Sequence, residues 1–142
     1  MNKWDLRFME MAKMAASWSK DPSTGVGCVI ADKKNRFVSL GFNGFPRGIS
    51  DSTELLMDRE EKLRRTIHAE KNAMLFATRS IEGCSVYVTR PPCGQCAAEL
   101  VQSEIARVVF PSPPLDFLER WKADVNSSYS MFTEAGIEIV CL

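Results

Sequence analysis

The sequence predicts an α/β protein of three layers, α/β/α, with a mixed five-stranded sheet flanked by helices. Five short runs of strand-forming residues are spread along the 142 residues and separated by turns or helix-forming segments. The first two runs lie on either side of a short polar turn, which favours an antiparallel hairpin. The later runs alternate with helical segments, and helical crossovers join strands that lie parallel.

The first half of the chain opens with an amphipathic helix. Apolar residues recur at three- and four-residue steps from Lys3 to Ser19, which predicts a helix that ends before Asp21-Pro22. Strands are predicted for GVGCVIAD and RFVSLGF, with DKKN as the turn between them. The segment GFNGFPRGISD is rich in glycine and proline but too apolar for a linker, so we expect it to shape a pocket. The charged stretch from Glu54 to Arg65 predicts a solvated helix or an ordered loop.

The second half of the chain alternates helices with strands. Ala69 to Arg79 predicts a helix with Met74, Leu75 and Ala77 facing the core. Strands are predicted for SVYVT, ARVVF and GIEIVCL, a helix for CGQCAAELVQSE, and two helical pieces for LDFLERWKAD and SSYSMFTEA. No internal repeat or linker interrupts this order, so we expect residues 1–142 to form a single domain.

Composition excludes several classes of function. Eighteen basic and eighteen acidic residues cancel, which argues against the broad positive surface of a protein that binds a duplex or a membrane. The sequence shows neither a signal-peptide pattern nor a long apolar run. Five cysteines without a secretion signal favour free thiols or metal ligands over disulfides. We therefore expect a cytoplasmic protein that binds small molecules and neither nucleic acid nor membrane.

A metal site is predicted from the only histidine and a pair of cysteines. Cys93 and Cys96 stand three apart where a helix is predicted to begin, so both sulfurs fall on one face of its first turn. The positive end of a helix favours the thiolates that zinc needs. With His68 there are three protein ligands, and a catalytic zinc site keeps its fourth position open for water or substrate.

The remaining cysteines are predicted to lie outside this site. Cys84 begins a strand that ends before Cys93, and at about 3.3 Å per residue that strand keeps the two thiols apart. Cys28 and Cys141 lie in predicted strands, where cysteine is most simply a small core residue. Water is the remaining candidate for the fourth position.

The spacing around the ligands matches a known catalytic pattern. H-x-E followed by P-C-x-x-C is the signature of zinc nucleobase deaminases, in which the glutamate moves protons and does not bind the metal. His68, Glu70, Pro92, Cys93 and Cys96 match it. Glu70 is therefore the predicted catalytic residue, whereas a buried histidine with an unrelated cysteine pair would require a coincidence at every position.

Several segments beyond the zinc motif resemble the deoxycytidylate (dCMP) deaminase family. They are, in order, SKDPSTGVGCVI, GFNGFPRGISD, HAEKNAMLFATR, YVTRPPCGQCAAELVQSEIARVV and MFTEAGIEI. The resemblance implies a cytidine deaminase-like fold that forms one catalytic domain. It also implies zinc-dependent hydrolysis of dCMP to dUMP and ammonia, which would supply dUMP for thymidylate synthesis.

The resemblance further implies a set of substrate contacts. Asn43 would contact the sugar, the backbone near Ala69 would meet the pyrimidine, and Ser23 and Thr24 would help to receive the phosphate. Other members place a tyrosine soon after the fourth strand, and this sequence departs from them there. Two aromatic residues would substitute for that tyrosine or belong to the core: Trp121 and Tyr129.

Regulation is implied by the resemblance as well. Family members are commonly homohexamers that dCTP activates and dTTP inhibits at a site separate from the zinc. The matching regions contain five candidate effector residues: Phe42, Gly44, Arg47, Phe76 and Arg79. Lys62, Arg64 and Arg65 would either meet a triphosphate or form a solvated face, which such charge-rich stretches favour. Some phage members bind a second, structural zinc, but the segment 43–67 has no cysteine or histidine for one, so we expect one zinc ion per chain.

Three alternatives stay open at the level of sequence. The metal motif is shared with tRNA adenosine deaminases, although the neutral charge and the GFNGFPRG loop argue against them. A deaminase of nucleosides would show equal turnover without a 5′-phosphate. A zinc-stabilised nucleotide sensor would have a closed metal site and would keep its function when Glu70 is neutralised.

Overall fold

The computed structural model describes residues 2–142 and has the predicted three-layer α/β/α architecture. One mixed sheet has the strand order β2-β1-β3-β4-β5. Strand β1 pairs antiparallel with both β2 and β3, whereas β3–β4 and β4–β5 are parallel. The described residues form six helices and five strands: α1 (Lys3–Ala16), β1 (Gly27–Ala31), β2 (Phe37–Phe42), α2 (Thr53–Met57), α3 (Arg59–Arg65), α4 (Ala69–Phe76), β3 (Ser85–Val88), α5 (Gly94–Gln102), β4 (Arg107–Phe110), α6 (Leu115–Glu134) and β5 (Glu138–Cys141).

One face of the sheet is covered by α1. Phe8 and Ala12 of this helix pack on Val29 and Tyr87 of the central strands. The helix lies so close to β1 that a Cβ atom on Gly27 would stand 1.8 Å from the carbonyl oxygen of Ala12. Only glycine allows this approach, so the sequence GVGC at the start of β1 determines how closely the first layer packs.

The opposite face is covered by α4, α5 and α6. Ala73, Leu100 and Phe132 represent the three helices in a core that also contains Ile30 and Val108 from the sheet. Because helices cover both faces, every residue of the inner strands β1 and β3 is buried, whereas the edge strands β2 and β5 are partly exposed.

Helix α4, which carries the H-A-E motif, is fixed to β2 at Gly41. A Cβ atom there would lie 2.4 Å from both the Ala69 carbonyl oxygen and the Ala73 amide nitrogen. Ser39 Oγ donates a 2.8 Å hydrogen bond to the Ala73 carbonyl, and Asn72 Nδ2 donates one of the same length to the carbonyl at the end of β2. The start of α4 therefore has little freedom to move relative to the sheet.

Two helices differ in detail from the sequence prediction. Helix α4 ends at Phe76 instead of Arg79, and Leu75 is 59% exposed instead of facing the core. Ala69 and Ala73 define the buried face of this short helix, and Leu75 lies on the other side, which is exposed. The charged stretch before it forms two short helices, α2 and α3, that meet at Asp58.

The C-terminal part also departs from the prediction. The two predicted helical pieces are present as α6, which spans 20 residues and is kinked at Trp121, so the interruption lies earlier in the chain than the sequence predicted. None of the described helices, α6 included, is long and apolar enough to cross a membrane. Cys141, predicted as a core residue, is exposed because β5 is an edge strand, whereas Cys28 is fully buried as expected.

Candidate metal centre and its cavity

The predicted metal ligands meet where two helices begin. His68 is the residue that precedes α4, and Cys93 is the residue that precedes α5. The Nδ1 atom of His68 lies 3.4 Å from the Sγ atoms of both Cys93 and Cys96, and all three donor atoms lie within 4.8 Å of one another. Both helix N-termini direct their positive ends towards the cluster, which favours negatively charged sulfur.

The protein itself prepares one thiolate in this cluster. The pKa of Cys93 is lowered, chiefly because the Cys96 thiol donates a hydrogen bond to it and also because His68 lies beside it. The same contact with Cys93 raises the pKa of His68 to about 8. The pKa of Cys96 is raised because this thiol is the donor to its neighbour and is buried. The contacts within the cluster therefore favour the thiolate form of Cys93.

These donors fit a zinc ion. One imidazole nitrogen and two thiol sulfurs are typical zinc ligands, and a catalytic site uses three such groups with an open fourth position. His68 and Cys93 line a cavity, so a fourth ligand has access to the cluster. Among the described residues this is the one group of three or more candidate ligands that lie so close together.

Glu70 lies in the first turn of α4 and is 4% exposed. Burial raises its pKa to about 7, against the opposing influence of its own backbone amide and of His68. A carboxyl group with this pKa exists in both protonation states near neutral pH, which suits a residue that must accept and then donate a proton.

The cluster opens into a cavity of about 280 Å³. His68, Glu70 and Cys93 form its metal end, and the remainder of its wall includes four basic side chains and two aspartates among apolar and uncharged polar residues. The cavity is lined by Asp21, Ser23, Thr24, Val26, Asn43, Arg59, Lys62, Leu63, Thr66, His68, Ala69, Glu70, Arg90, Pro91, Pro92, Cys93, Phe117, Arg120, Trp121, Asp124 and Val125.

Ser23 and Thr24 lie in a tight turn that Asp21 organises. Asp21 Oδ1 accepts hydrogen bonds from the amides of both residues, at 2.8 and 3.1 Å. Lys62 extends from α3 into the same place, where its ammonium donates to Asp21 Oδ1 and to Ser23 Oγ, each at 3.1 Å. Lys62 is only 7% exposed, so the expectation of a solvated face is wrong for this residue. Arg64 does match it, because it pairs with Glu61 on the surface.

Asn43 connects the glycine-rich loop to this turn. Its side chain accepts a 2.8 Å hydrogen bond from the Val26 amide and donates one of 2.9 Å to the Thr24 carbonyl. The next residue, Gly44, exchanges two backbone hydrogen bonds with Ile67, immediately before the histidine ligand. Asn43 retains one N–H and one acceptor lone pair on the cavity wall, and Ala69 lines the same cavity.

The five candidate effector residues lie in three places. Phe42 and Gly44 line a second cavity of about 260 Å³. The Arg47 guanidinium stands 5.2 Å from the ring centre of Phe76, beside that loop. Arg79 lies beyond the end of α4, where it donates a 3.3 Å hydrogen bond to Asp32.

The cavity contains residues that the sequence interpretation missed. The Arg90 guanidinium stands 5.0 Å over the ring of Phe117, and Arg59 and Arg120 line the same wall. Arg90 directly precedes P-P-C, which was an available signal, whereas the others are recognisable only from the fold. Of the two aromatic candidates, Trp121 lines the cavity and is 44% exposed, while Tyr129 stacks on Phe110 in the core.

Comparison with known proteins indicates a zinc site, as the geometry of the cluster does. Residues 2–112 match the family described as the cytidine and deoxycytidylate deaminase zinc-binding region. An uncharacterized deaminase from the luxG 3′ region of Aliivibrio fischeri is 50% identical over 142 residues, which cover 100% of this chain and 95% of that protein. A probable deoxycytidylate deaminase of Caenorhabditis elegans is 44% identical over 109 residues, which cover 73% of this chain but only 55% of that protein.

A solved structure shows the same fold. The dCMP deaminase of cyanophage S-TIM5, crystallised with dCMP and dUMP, superposes with a TM-score of 0.82. The alignment covers 100% of this chain and 99% of the phage chain at 19% identity.

The fold and the metal cluster define a zinc-dependent hydrolase of the deaminase class. The chain belongs to the cytidine and deoxycytidylate deaminase family, whose zinc-binding region it contains. The predicted membership of the dCMP deaminase group within the cytidine deaminase-like superfamily is confirmed.

Proposed function

We propose that the chain catalyses the hydrolytic deamination of dCMP to dUMP and ammonia, with residues 1–142 acting as one catalytic domain. The observation that carries this proposal is the position of Glu70. It is buried, has a pKa raised to about 7, and lies beside the metal cluster at the end of a cavity with a basic wall. The similarity to deoxycytidylate deaminases supports the choice of base and sugar.

The charges of the cavity support a substrate that carries a phosphate. Among residues 2–142, neither Arg59 nor Arg90 forms an ion pair with a carboxylate, although both line the cavity. Lys62 is neutralised by Asp21, but it orients the Ser23 hydroxyl, which is free to donate to an anion. A monoanionic or dianionic phosphate would compensate the two free guanidinium groups.

The chemistry needs a strong nucleophile and two proton transfers. A zinc ion held by His68, Cys93 and Cys96 would lower the pKa of a water from about 16 towards about 7. Glu70 accepts a proton from the attacking water and passes it to N3 while the oxygen bonds to C4. Glu70 then carries the second proton to the departing amine, and the C4–N4 bond breaks to give dUMP and ammonia.

The remaining contacts follow the shape of the cavity. We assign the sugar to Asn43, the pyrimidine edge to the backbone at Ala69, and the phosphate to Ser23 and Thr24, all of which line the same cavity. The exposed ring of Trp121 supplies a face for the base at the open side.

The test is ammonia release from the zinc-loaded protein with dCMP, deoxycytidine, dCTP and a tRNA anticodon stem-loop in parallel. We expect turnover of dCMP to exceed that of the other three substrates. Equal turnover of deoxycytidine would indicate a nucleoside deaminase. Activity only on the RNA, or on none of the four, would refute the proposal.

We also propose regulation by dCTP as activator and dTTP as inhibitor, in a homohexamer. The second cavity supports an effector site because Asp21, Asn43 and Thr66 form parts of both cavity walls. A ligand in the second cavity would therefore contact the same residues that hold the phosphate turn. Rates of dCMP deamination measured with each triphosphate, together with the mass of the assembly in solution, test this part.

The wider role follows from the reaction. We propose that the product dUMP serves thymidylate synthesis, that the protein acts in the cytoplasm, and that it holds one zinc ion per chain. The single cluster of candidate ligands among the described residues supports this stoichiometry. Metal analysis of the purified protein should give one zinc per chain, and two would contradict it.

A further inference from the structure

Helix α6 holds the backbone on both sides of Cys93. Asp124 Oδ1 accepts a 2.8 Å hydrogen bond from the Gly94 amide, and Ser128 Oγ donates one of 2.7 Å to the Pro92 carbonyl. The two residues are one helical turn apart and so lie on the same face of α6. The metal ligand is therefore flanked by two anchors from one helix.

The packing leaves this contact little freedom. Ser128 is completely buried, and its hydroxyl also bonds the Asp124 carbonyl at 3.1 Å, which fixes its rotamer. A Cβ atom added to Gly94 would stand 2.8 Å from Asp124 Oδ1, so the carboxylate lies directly against the glycine. The Gly94 amide belongs to the first turn of α5, where backbone donors have no partner within the helix.

We propose that Asp124 and Ser128 are positioning residues that hold Cys93 in its metal-binding place before the ion arrives. Because both anchors are hydrogen bonds between protein groups that do not involve the ligand sulfur, the cost of ordering the P-P-C-G segment is met during folding and not during zinc binding. Both residues lie outside residues 2–112, the part that matches the family. The inference rests on the metal site of the proposed function but not on its substrate.

Zinc affinity is the direct test, measured by competition between the folded protein and a chromophoric chelator. We expect Asp124→Ala to bind zinc about 10- to 100-fold more weakly, the range typical of groups that orient metal ligands. Asp124→Asn keeps an acceptor oxygen for the Gly94 amide and should stay within about threefold of wild type. Asp116→Ala, an exposed acid on the same helix, is the matched control and should change nothing. Wild-type affinity in folded Asp124→Ala would overturn the proposal.

Gly94→Ala approaches the same contact from the other side. Its methyl group would displace the Asp124 carboxylate, so we expect weaker zinc binding in the wild-type background and no further loss in Asp124→Ala. An equal loss in both backgrounds would overturn the proposal. If Asp124→Ala fails to fold, Gly94→Ala in the wild-type background decides alone: weaker zinc binding supports the proposal, and wild-type affinity overturns it.

Ser128 has its own control. Ser128→Ala should weaken zinc binding. Ser127→Ala, on the exposed side of the helix, should not. Equal zinc affinities of the two variants would contradict the proposal that Ser128 is one of the two anchors. Because every readout is metal binding, a protein with the expected zinc affinities but no turnover of dCMP would refute the proposed substrate and leave this inference intact.

Discussion

Glu70 and the three candidate metal ligands show how much of the proposed chemistry depends on single residues. The motif spacing places each ligand beside a helix N-terminus, and burial raises the pKa of Glu70 to about 7. These four residues were predictable because their relationship is mostly local in the sequence. The positions of Lys62 and Asp124 were not predictable, because their partners Asp21 and Gly94 are 41 and 30 residues away in the sequence.

The first prediction at this scale concerns catalysis. Glu70→Gln keeps the shape of the side chain but cannot carry protons, so turnover should fall by about 10²- to 10⁴-fold. Zinc content and nucleotide binding should remain, since Glu70 is not one of the clustered donors. Steady-state kinetics with metal analysis measure both. Glu82→Gln, on the exposed surface, is the control. Near-normal turnover in Glu70→Gln would contradict the assignment of Glu70 as the proton carrier.

The same carboxyl group predicts a pH dependence of stability in the metal-free protein. Its pKa is raised from 4.5 to about 7, so the folded state binds more protons than the unfolded state in this window. Stability should therefore fall as pH rises from 4.5 to 7, by an amount on the order of 3 kcal/mol. Urea unfolding of wild type and Glu70→Gln across this range isolates the contribution. If the difference in unfolding free energy between the two proteins did not change with pH, the raised pKa of the Glu70 carboxyl would be contradicted.

At the scale of elements, the site depends on how α4 and α5 are fixed to the sheet. The alternation of strands and helices predicted the layers and the antiparallel hairpin, because periodicity and turn residues are local signals. The end of α4 and the position of the kink in α6 were mispredicted, because tertiary packing determines where these helices end or bend. Leu75 and Cys141 illustrate this, since both are apolar yet lie on exposed sides of their elements.

Gly41 provides the prediction at this scale. A methyl group there would lie 2.4 Å from the backbone of α4, which cannot retreat as a flexible side chain can. Gly41→Ala should therefore lower the free energy of unfolding by about 1–3 kcal/mol. It should also reduce turnover, because the N-terminus of α4 carries His68 and Glu70. Denaturant unfolding and kinetics measure the two effects.

The control for this substitution is Gly44→Ala. A Cβ atom on Gly44 meets nothing within 4 Å, so the free energy of unfolding should change by no more than about 0.5 kcal/mol. Equal stability of the two variants would show that β2 does not fix α4.

At the scale of the whole molecule, distant segments assemble one cavity. Its wall is formed by residues from five parts of the chain: Asp21 to Thr24, Asn43, α3, the residues before Cys93, and α6. The formal charges of the full chain cancel, yet the cavity holds two arginines without a carboxylate partner among the described residues. Net charge argued against a large polyanion as partner but gave no indication of this local basic site.

The basic wall leads to a prediction about substrate discrimination. Arg90→Gln removes a cation that would bond the 5′-phosphate, so KM for dCMP should rise at least about tenfold. Turnover of deoxycytidine, which has no phosphate, should be unchanged. Arg36→Gln, whose side chain pairs with Asp32 away from the cavity, is the matched control. A parallel loss on both substrates would show that Arg90 acts through structure and not through the phosphate.

The most direct measurement of the central claim is mass spectrometry of the pyrimidine product when the zinc-loaded protein acts on dCMP in ¹⁸O-labelled water. Hydrolysis at C4 predicts dUMP that carries one atom of the label, with an equal amount of ammonia and with little product from Glu70→Gln. An absence of dUMP, or dUMP without the label, would contradict the assignment of this cavity as a hydrolytic dCMP deaminase site.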